Sequence, residues 1–184
     1  MAEGLKTTYN PLFDGLYVYR IDHRDYPQSW LKQKRWADAL RAVERQGNLP
    51  IGGLYFADTI APGFDDTRAA NAGSDLRSPA PPFARDRRNG GYYADTFNAT
   101  ANTGGDFLFV KSYNEWIEGT EIEPGAAYGD TYLNLTCQYA NAYRAGRSAD
   151  PRRSPGPAGL YRARDTGCLA SMNWPRPTVG VQYV

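Results

Sequence analysis

Residues 106–124 read DFLFVKSYNEWIEGTEIEP. The run Phe107-Leu108-Phe109-Val110 has the composition of a strand buried on both faces, as in a parallel sheet. Within three residues the chain turns polar and delivers Asn114, Glu115, Trp116, Glu118, Glu121 and Glu123. A buried strand that ends abruptly in carboxylates, an amide and an indole has the makings of an active-site rim. The alternative is a set of acids that merely solvate a loop, and such a loop has no use for a tryptophan. The chemistry suggested is acid/base work on a sugar. Glu115 and Glu118 can face one cavity, one ionised and one protonated, where their surroundings differ enough. Trp116 offers a flat apolar face for a pyranose ring, and Asn114 can hold a hydroxyl or orient a carboxylate.

The segment Ser112–Pro124, SYNEWIEGTEIEP, resembles the signature of glycoside hydrolase family 99, the endo-α-mannosidase family, where a strand runs into a segment close to SFNEWHEGTQIEP. The sequence departs from that pattern at Tyr113 (usually Phe), Ile117 (usually His) and Glu121 (usually Gln). The resemblance implies a (β/α)8 barrel whose last strand this motif closes. It also implies that Glu115 and Glu118 are the catalytic pair in a retaining reaction. Glu115 would take the proton from the sugar's own 2-hydroxyl, which attacks C1 to give an anhydrosugar. Glu118 would protonate the leaving oxygen and then act as base toward water. Spacing alone leaves a nucleophile/acid pair and an inverting pair open, because these differ in carboxylate separation. Weaker likenesses precede the motif: Phe13-Asp14-Gly15-Leu16-Tyr17 to a family strand, Pro62–Arg68 to a P-G-Y-x-D-x-R segment, and Gly90–Tyr93 to a G-x-Y-Y segment. Together they cover residues about 12 to 145.

Outward from the motif, the chain alternates strands and helices. Met1–Pro11 reads as polar lead-in, and Phe13–Tyr19 as a strand of alternating apolar and aromatic residues. In a barrel the loop after a strand lies on the catalytic face, so Tyr19 is a candidate substrate contact, and His23 a weaker one. Ser29 is a good N-cap for a helix with a stripe of Trp30, Trp36, Ala37, Leu40 and Val43, stopped by Gly47. Leu49–Phe56 reads as the next strand, with Asp58 and Thr59 at its end. A loop of some thirty residues follows; Asp66 and Arg68 in it either bind hydroxyls or pair with each other. A second helix carries Tyr93, Phe97 and Thr100 on one face. A last helix, after Tyr128-Gly129-Asp130, has a stripe of Tyr132, Leu135, Tyr139, Ala142 and Tyr143. The expected division is a barrel portion over 1–146 and a Pro/Arg/Gly-rich, partly irregular tail over 147–184.

Composition narrows the rest. With 184 residues the chain is expected to form one domain. A formal net charge of +1 makes no electrostatic case for nucleic acid or a membrane surface. No run of about 18 apolar residues reads as a membrane span, and Met1 does not open a signal peptide. A secreted or periplasmic parent protein is the expectation, its leader lying upstream. Cys137 and Cys168 lack metal-ligand spacing and form either one bridge or two free thiols. No metal and no cofactor is expected.

Counting the units gives a partial α/β barrel, its last three βα units, where a complete one takes about 250 residues. The expected partners are therefore an oligo- or polysaccharide substrate and another chain or N-terminal segment that completes the barrel. Two functions are carried forward: a glycoside hydrolase acting on α-linked glycans, and a non-catalytic carbohydrate-binding or truncated remnant. Related polysaccharide-processing proteins with an N-E-W-x-E-G segment are a third possibility, although the G-T-E-I-E-P ending is closer to the mannosidase type.

Overall fold

The computed structural model describes residues 2–3, 13–22, 28–45, 54–67, 69, 81–100 and 103–148. His23, Arg68, Cys168 and the expected tail beyond residue 148 lie outside them. Strands β1 (Ala2–Glu3), β2 (Gly15–Tyr17), β3 (Tyr55–Ile60) and β6 (Phe107–Val110) form one sheet in that order. All three pairings are parallel: Leu16 lies opposite Phe56, and Ile60 opposite Val110. Helix α1 (Gln28–Arg45) connects β2 to β3, α2 (Gly91–Asn98) lies between β3 and β6, and α3 (Thr131–Ser148) follows β6. Two short strands, β4 (Phe64–Asp65) and β5 (Ala84–Arg85), pair antiparallel inside the long loop.

The pleat assigns the two faces of the sheet different fates. Leu16, Val18 and Phe56 point to one side and meet Ala37 and Leu40 of α1. Ile60 shares that side, as do Leu108 and Val110, and these meet Tyr93 of α2 with Tyr132, Leu135 and Tyr139 of α3. All three helices therefore cover one face. Each fully buried side chain there, such as Leu40, Phe56 or Ile60, contributes roughly 1.5–3 kcal/mol. The other face carries Tyr17, Tyr55, Phe107 and Phe109, paired edge-to-face as Tyr17–Phe109 (5.9 Å) and Tyr55–Phe107 (5.7 Å). Tyr55, Phe107 and Phe109 are 48%, 46% and 40% exposed.

The structure corrects several expectations. β6 is covered on its helix side and open on the other. It reads as doubly buried only because apolar residues occupy both faces, Leu108 and Val110 on one and Phe107 and Phe109 on the other. The polar lead-in contributes β1, so the sheet has four strands where three were expected. The third strand lies over Tyr55–Ile60, later than the Leu49–Phe56 reading. Asp58 and Thr59 are consequently inside it and buried. Asp58 Oδ2 and the main chain of Thr59 are bonded locally, while among the described residues Asp58 Oδ1 and Thr59 Oγ1 make no hydrogen bond. Thr103 Oγ1 donates to Asp58 Oδ2 at 2.7 Å, and Tyr143 OH at 3.2 Å. Gln33 of α1 reaches the main chain of Thr59, its amide nitrogen donating to the carbonyl at 2.8 Å and its oxygen accepting from the N–H. The last helix runs to Ser148, and Ala142 on its stripe is exposed. Cys137 of α3 is disulfide-bonded. Among the described residues no helix is long and apolar enough to cross a membrane.

Candidate active site

After Val110 the chain folds back on itself, and its own hydrogen bonds close it. Lys111 N donates to Ile60 O at 2.9 Å, a last rung beyond the sheet, and the Lys111–Ser112 peptide is cis. Ser112 N donates to Thr120 O at 2.9 Å, Ile122 N returns to Ser112 O at 3.1 Å, and the two hydroxyls of Ser112 and Thr120 meet at 2.8 Å. Inside this closure, Glu115 N donates to Ser112 Oγ and Thr120 N to Glu115 O. The glutamates are thus carried on a loop whose shape is fixed from within.

Two outside contacts lock the loop to the body. Asp65 N of β4 donates to Glu118 O at 2.7 Å. A Cβ on Gly119 would sit 3.0 Å from Asp65 N, and its φ of 57° is left-handed, so both requirements select glycine there. Arg87 is the second lock. Its guanidinium donates to Glu121 O (2.9 Å) and Gly119 O (3.1 Å) and pairs with Glu121 Oε1 at 2.8 Å. It also lies over the rings of Tyr128 and Tyr132, 4.4 Å from each centroid. Arg87 and Glu121 are both buried, so Glu121 is a loop anchor rather than a rim acid.

Lys111 is the charge at the centre. Its ammonium is buried (3% exposed) and approaches both Asp22 oxygens, at 3.2 and 3.4 Å. It also lies 3.4 Å from Glu118 Oε2. The rings of Tyr19 and Phe64 flank it, 4.7 and 4.9 Å from their centroids to Nζ. Glu118 Oε2 is itself buried, and the Lys111 contact lacks hydrogen-bond alignment, so this oxygen accepts no hydrogen bond. The rest of the Glu118 side chain keeps the group about one-third open (35%).

The remaining rim residues face outward. Trp116 is 52% exposed, yet held: its Nε1 donates to Glu123 Oε2 at 2.9 Å, and its ring lies against Gly125. Glu123 N in turn donates to Tyr113 O, and burial together with the charge of Glu123 pushes the Tyr113 phenol above its usual range. Asn114 and Glu115 are exposed, and among the described residues the Glu115 carboxylate takes no ion pair or hydrogen bond. Ile117, 46% exposed, puts an apolar surface on the rim.

The structure thus brings Tyr19 and Glu118 together through Lys111, and joins Trp116 to Glu123. Asp66 is elsewhere engaged: its Oδ1 accepts from Phe83 N at 2.9 Å and fastens the two ends of the long loop beside the stacked rings of Phe64 and Phe83. Its expected partner Arg68 lies outside the described residues. Lys111, Asp22 and Arg87 were missed. A lysine directly after four apolar strand residues was a usable signal; Asp22 and Arg87 offered none. Among the described residues no cluster of His, Cys, Asp or Glu suits a metal ion.

Comparison with known proteins adds the family. The family model described as glycosyl hydrolase family 99 matches residues 4–144. The chain belongs to this family. It is 29% identical over 149 residues to the human glycoprotein endo-alpha-1,2-mannosidase-like protein, covering 71% of this chain and 28% of that one. It is 28% identical over 115 residues to the rat glycoprotein endo-alpha-1,2-mannosidase, covering 60% of this chain and 21% of that one. Two structures of the family 99 endo-alpha-mannosidase from Bacteroides thetaiotaomicron superpose with TM-scores of 0.55 and 0.53, at 27% and 28% identity. Each match covers 80% of this chain and 47% or 44% of the other. The chain therefore spans under half of these structures and under a third of these curated relatives.

Proposed function

We propose that this chain carries the acid/base rim of a retaining glycoside hydrolase acting on α-linked glycans, endo-α-mannosidase-like in type. The observation that supports it is the locked loop: Glu115 and Glu118 follow a parallel strand on one fixed turn, with Glu118 drawn onto a buried ammonium. Glu115 is the base toward the 2-hydroxyl and Glu118 the general acid, then base toward water. Trp116 is a sugar platform, and Asn114, Tyr19 and Glu123 are further contacts. The sequential parallel sheet, with helices on one face, is read as part of a (β/α)8 barrel spanning 1–146, ahead of a separate tail. Its partners are an oligo- or polysaccharide substrate and the segment or second chain that covers the open face.

The test is an assay of the chain against α-mannan and activated α-mannosides, with the oligomeric mass recorded in the same sample. Glu115→Gln and Glu118→Gln are each expected to lower turnover at least about a hundredfold. A folded native chain without turnover rejects the hydrolase reading for this chain. It leaves the second reading, a carbohydrate-binding remnant of the barrel, which the open aromatic face and the exposed Ile117 favour.

A further inference from the structure

We propose that the buried Asp22–Lys111 pair governs the proton on Glu118, with Lys111 as a positioning residue and Asp22 as its counter-charge. This rests on reading Glu118 as an acid/base group. One ammonium serves two carboxylates, and it does not serve them equally. Asp22 holds it through both oxygens with hydrogen bonds, and the two groups are almost wholly buried. Glu118 meets the same ammonium through one buried oxygen at 3.4 Å, without a hydrogen bond. With Glu118 ionised the trio carries one net negative charge. With Glu118 protonated it is neutral, and Lys111–Asp22 remains matched. Glu118 is therefore the member that can exchange a proton without unpairing a buried charge, which is what an acid/base residue needs. Asp22 sets how much of the ammonium's field is left for it.

Among the described residues, the following charged and titratable groups near the trio are engaged elsewhere or open to water. Arg87 and Glu121 neutralise each other, and Glu123 is bonded to Trp116. Asp65 accepts from Thr67, and Asp66 from Phe83. Glu115 on the same loop is exposed, and Tyr19 lends its ring to Lys111.

The test reads the proton directly, in the full chain and independently of turnover. Carboxyl carbons of glutamate are labelled with 13C, the Glu118 resonance is assigned by its absence in Glu118→Gln, and its titration is followed by NMR. Asp22→Asn frees the whole ammonium for Glu118 and is expected to move the midpoint down by about one pH unit. Lys111→Met leaves Asp22 as an unmatched negative neighbour and is expected to move it up by about as much. Opposite signs are the result that a merely structural role does not give. Shifts of the same sign, or none, overturn the proposal. Where either single variant fails to fold, Asp22→Asn/Lys111→Met is titrated instead. It removes a dipole whose positive end faces Glu118, so the midpoint rises, and an unmoved midpoint overturns the proposal. Opposite shifts in a chain that turns over no mannoside uphold the coupling and reject the hydrolase reading alone.

Discussion

Replacing Arg87 by methionine removes a side chain that fastens the glutamate loop to the body of the chain. The guanidinium, itself buried, makes two main-chain hydrogen bonds to the loop, one ion pair with Glu121 and two ring contacts. Truncating one partner of a buried ion pair costs about 3–5 kcal/mol, because the other charge stays buried and unmatched. The two carbonyls lose charged donors, and each ring contact removes roughly 0.5–1 kcal/mol more. These losses overlap, since one local rearrangement relieves several of them, so the net expectation is about 4 kcal/mol. With a urea slope of roughly 2 kcal/mol/M, the unfolding midpoint falls by about 2 M. Glu121→Gln should be much milder, about 1 kcal/mol, because the guanidinium keeps both carbonyls and both rings and an amide oxygen still accepts from it. In Arg87→Met/Glu121→Gln the orphaned charge is gone, so the double variant should be more stable than Arg87→Met alone. Urea titrations of the four chains decide the matter. An Arg87→Met cost below about 1 kcal/mol, or equal costs for the two single variants, refutes the claim that the guanidinium anchors the loop.

Two further outcomes follow from the same geometry. Gly125→Ala puts a Cβ 2.7 Å from Cη2 of Trp116, so the indole must tilt off its hydrogen bond to Glu123; on the proposed reading of Trp116 as a sugar platform, a fluorescence titration with mannan oligosaccharide should show affinity reduced about tenfold, or about 1.4 kcal/mol, with the fold unchanged by circular dichroism. Alkaline pH is expected to destabilise the chain. Burial raises the phenols of Tyr93, Tyr132 and Tyr139 above the ordinary 10.0, and that of Tyr113 likewise. Above pH 10 the unfolded chain releases these protons while the folded chain retains them, so stability present below that pH is lost as pH rises, by up to about 1.4 kcal/mol per pH unit for each tyrosine. Urea midpoints measured upward from pH 9 should fall, and Tyr93→Phe, which removes the most strongly shifted phenol, should flatten the slope; an unchanged slope contradicts this.

The strand and the helices around the motif were legible because their signals are local. Phe107–Val110 is an unbroken apolar run, and the stripes Ala37–Leu40 and Tyr132–Tyr139 repeat at helical spacing. What the run could not disclose was its open side, since an aromatic residue reads as buried whether or not anything covers it. The third strand was placed too early because Asp58 and Thr59 look like loop residues. In the sheet, Thr103 and Tyr143 reach Asp58 Oδ2, and Gln33 reaches the main chain of Thr59. The site divides in the same way. Glu118 and Trp116 stand together in sequence and could be read together. Lys111 meets Asp22 across 89 residues, and Arg87 meets Glu121 across 34, and a charged side chain reads as solvated until such a partner is known.

The faces of the sheet tie the site to the uncovered surface. Alternation along β6 puts Phe107 and Phe109 on the open face, and Lys111 takes the next position of the same parity. Along β2 the sequence Tyr17, Tyr19 does likewise, and those two residues contact Phe109 and Lys111 respectively. The Lys111 cluster therefore stands at the strand ends of the aromatic face that no described helix covers. Parallel sheets are usually covered on both faces, and on the proposed reading a segment that covers Tyr55, Phe107 and Phe109 would also wall the site above them. The loop itself does not wait for that cover, since Ser112, Thr120, Asp65 and Arg87 fix it from within the chain. Covering the face should thus change substrate access and the stability of the sheet together, while leaving the geometry of the glutamate loop as it is.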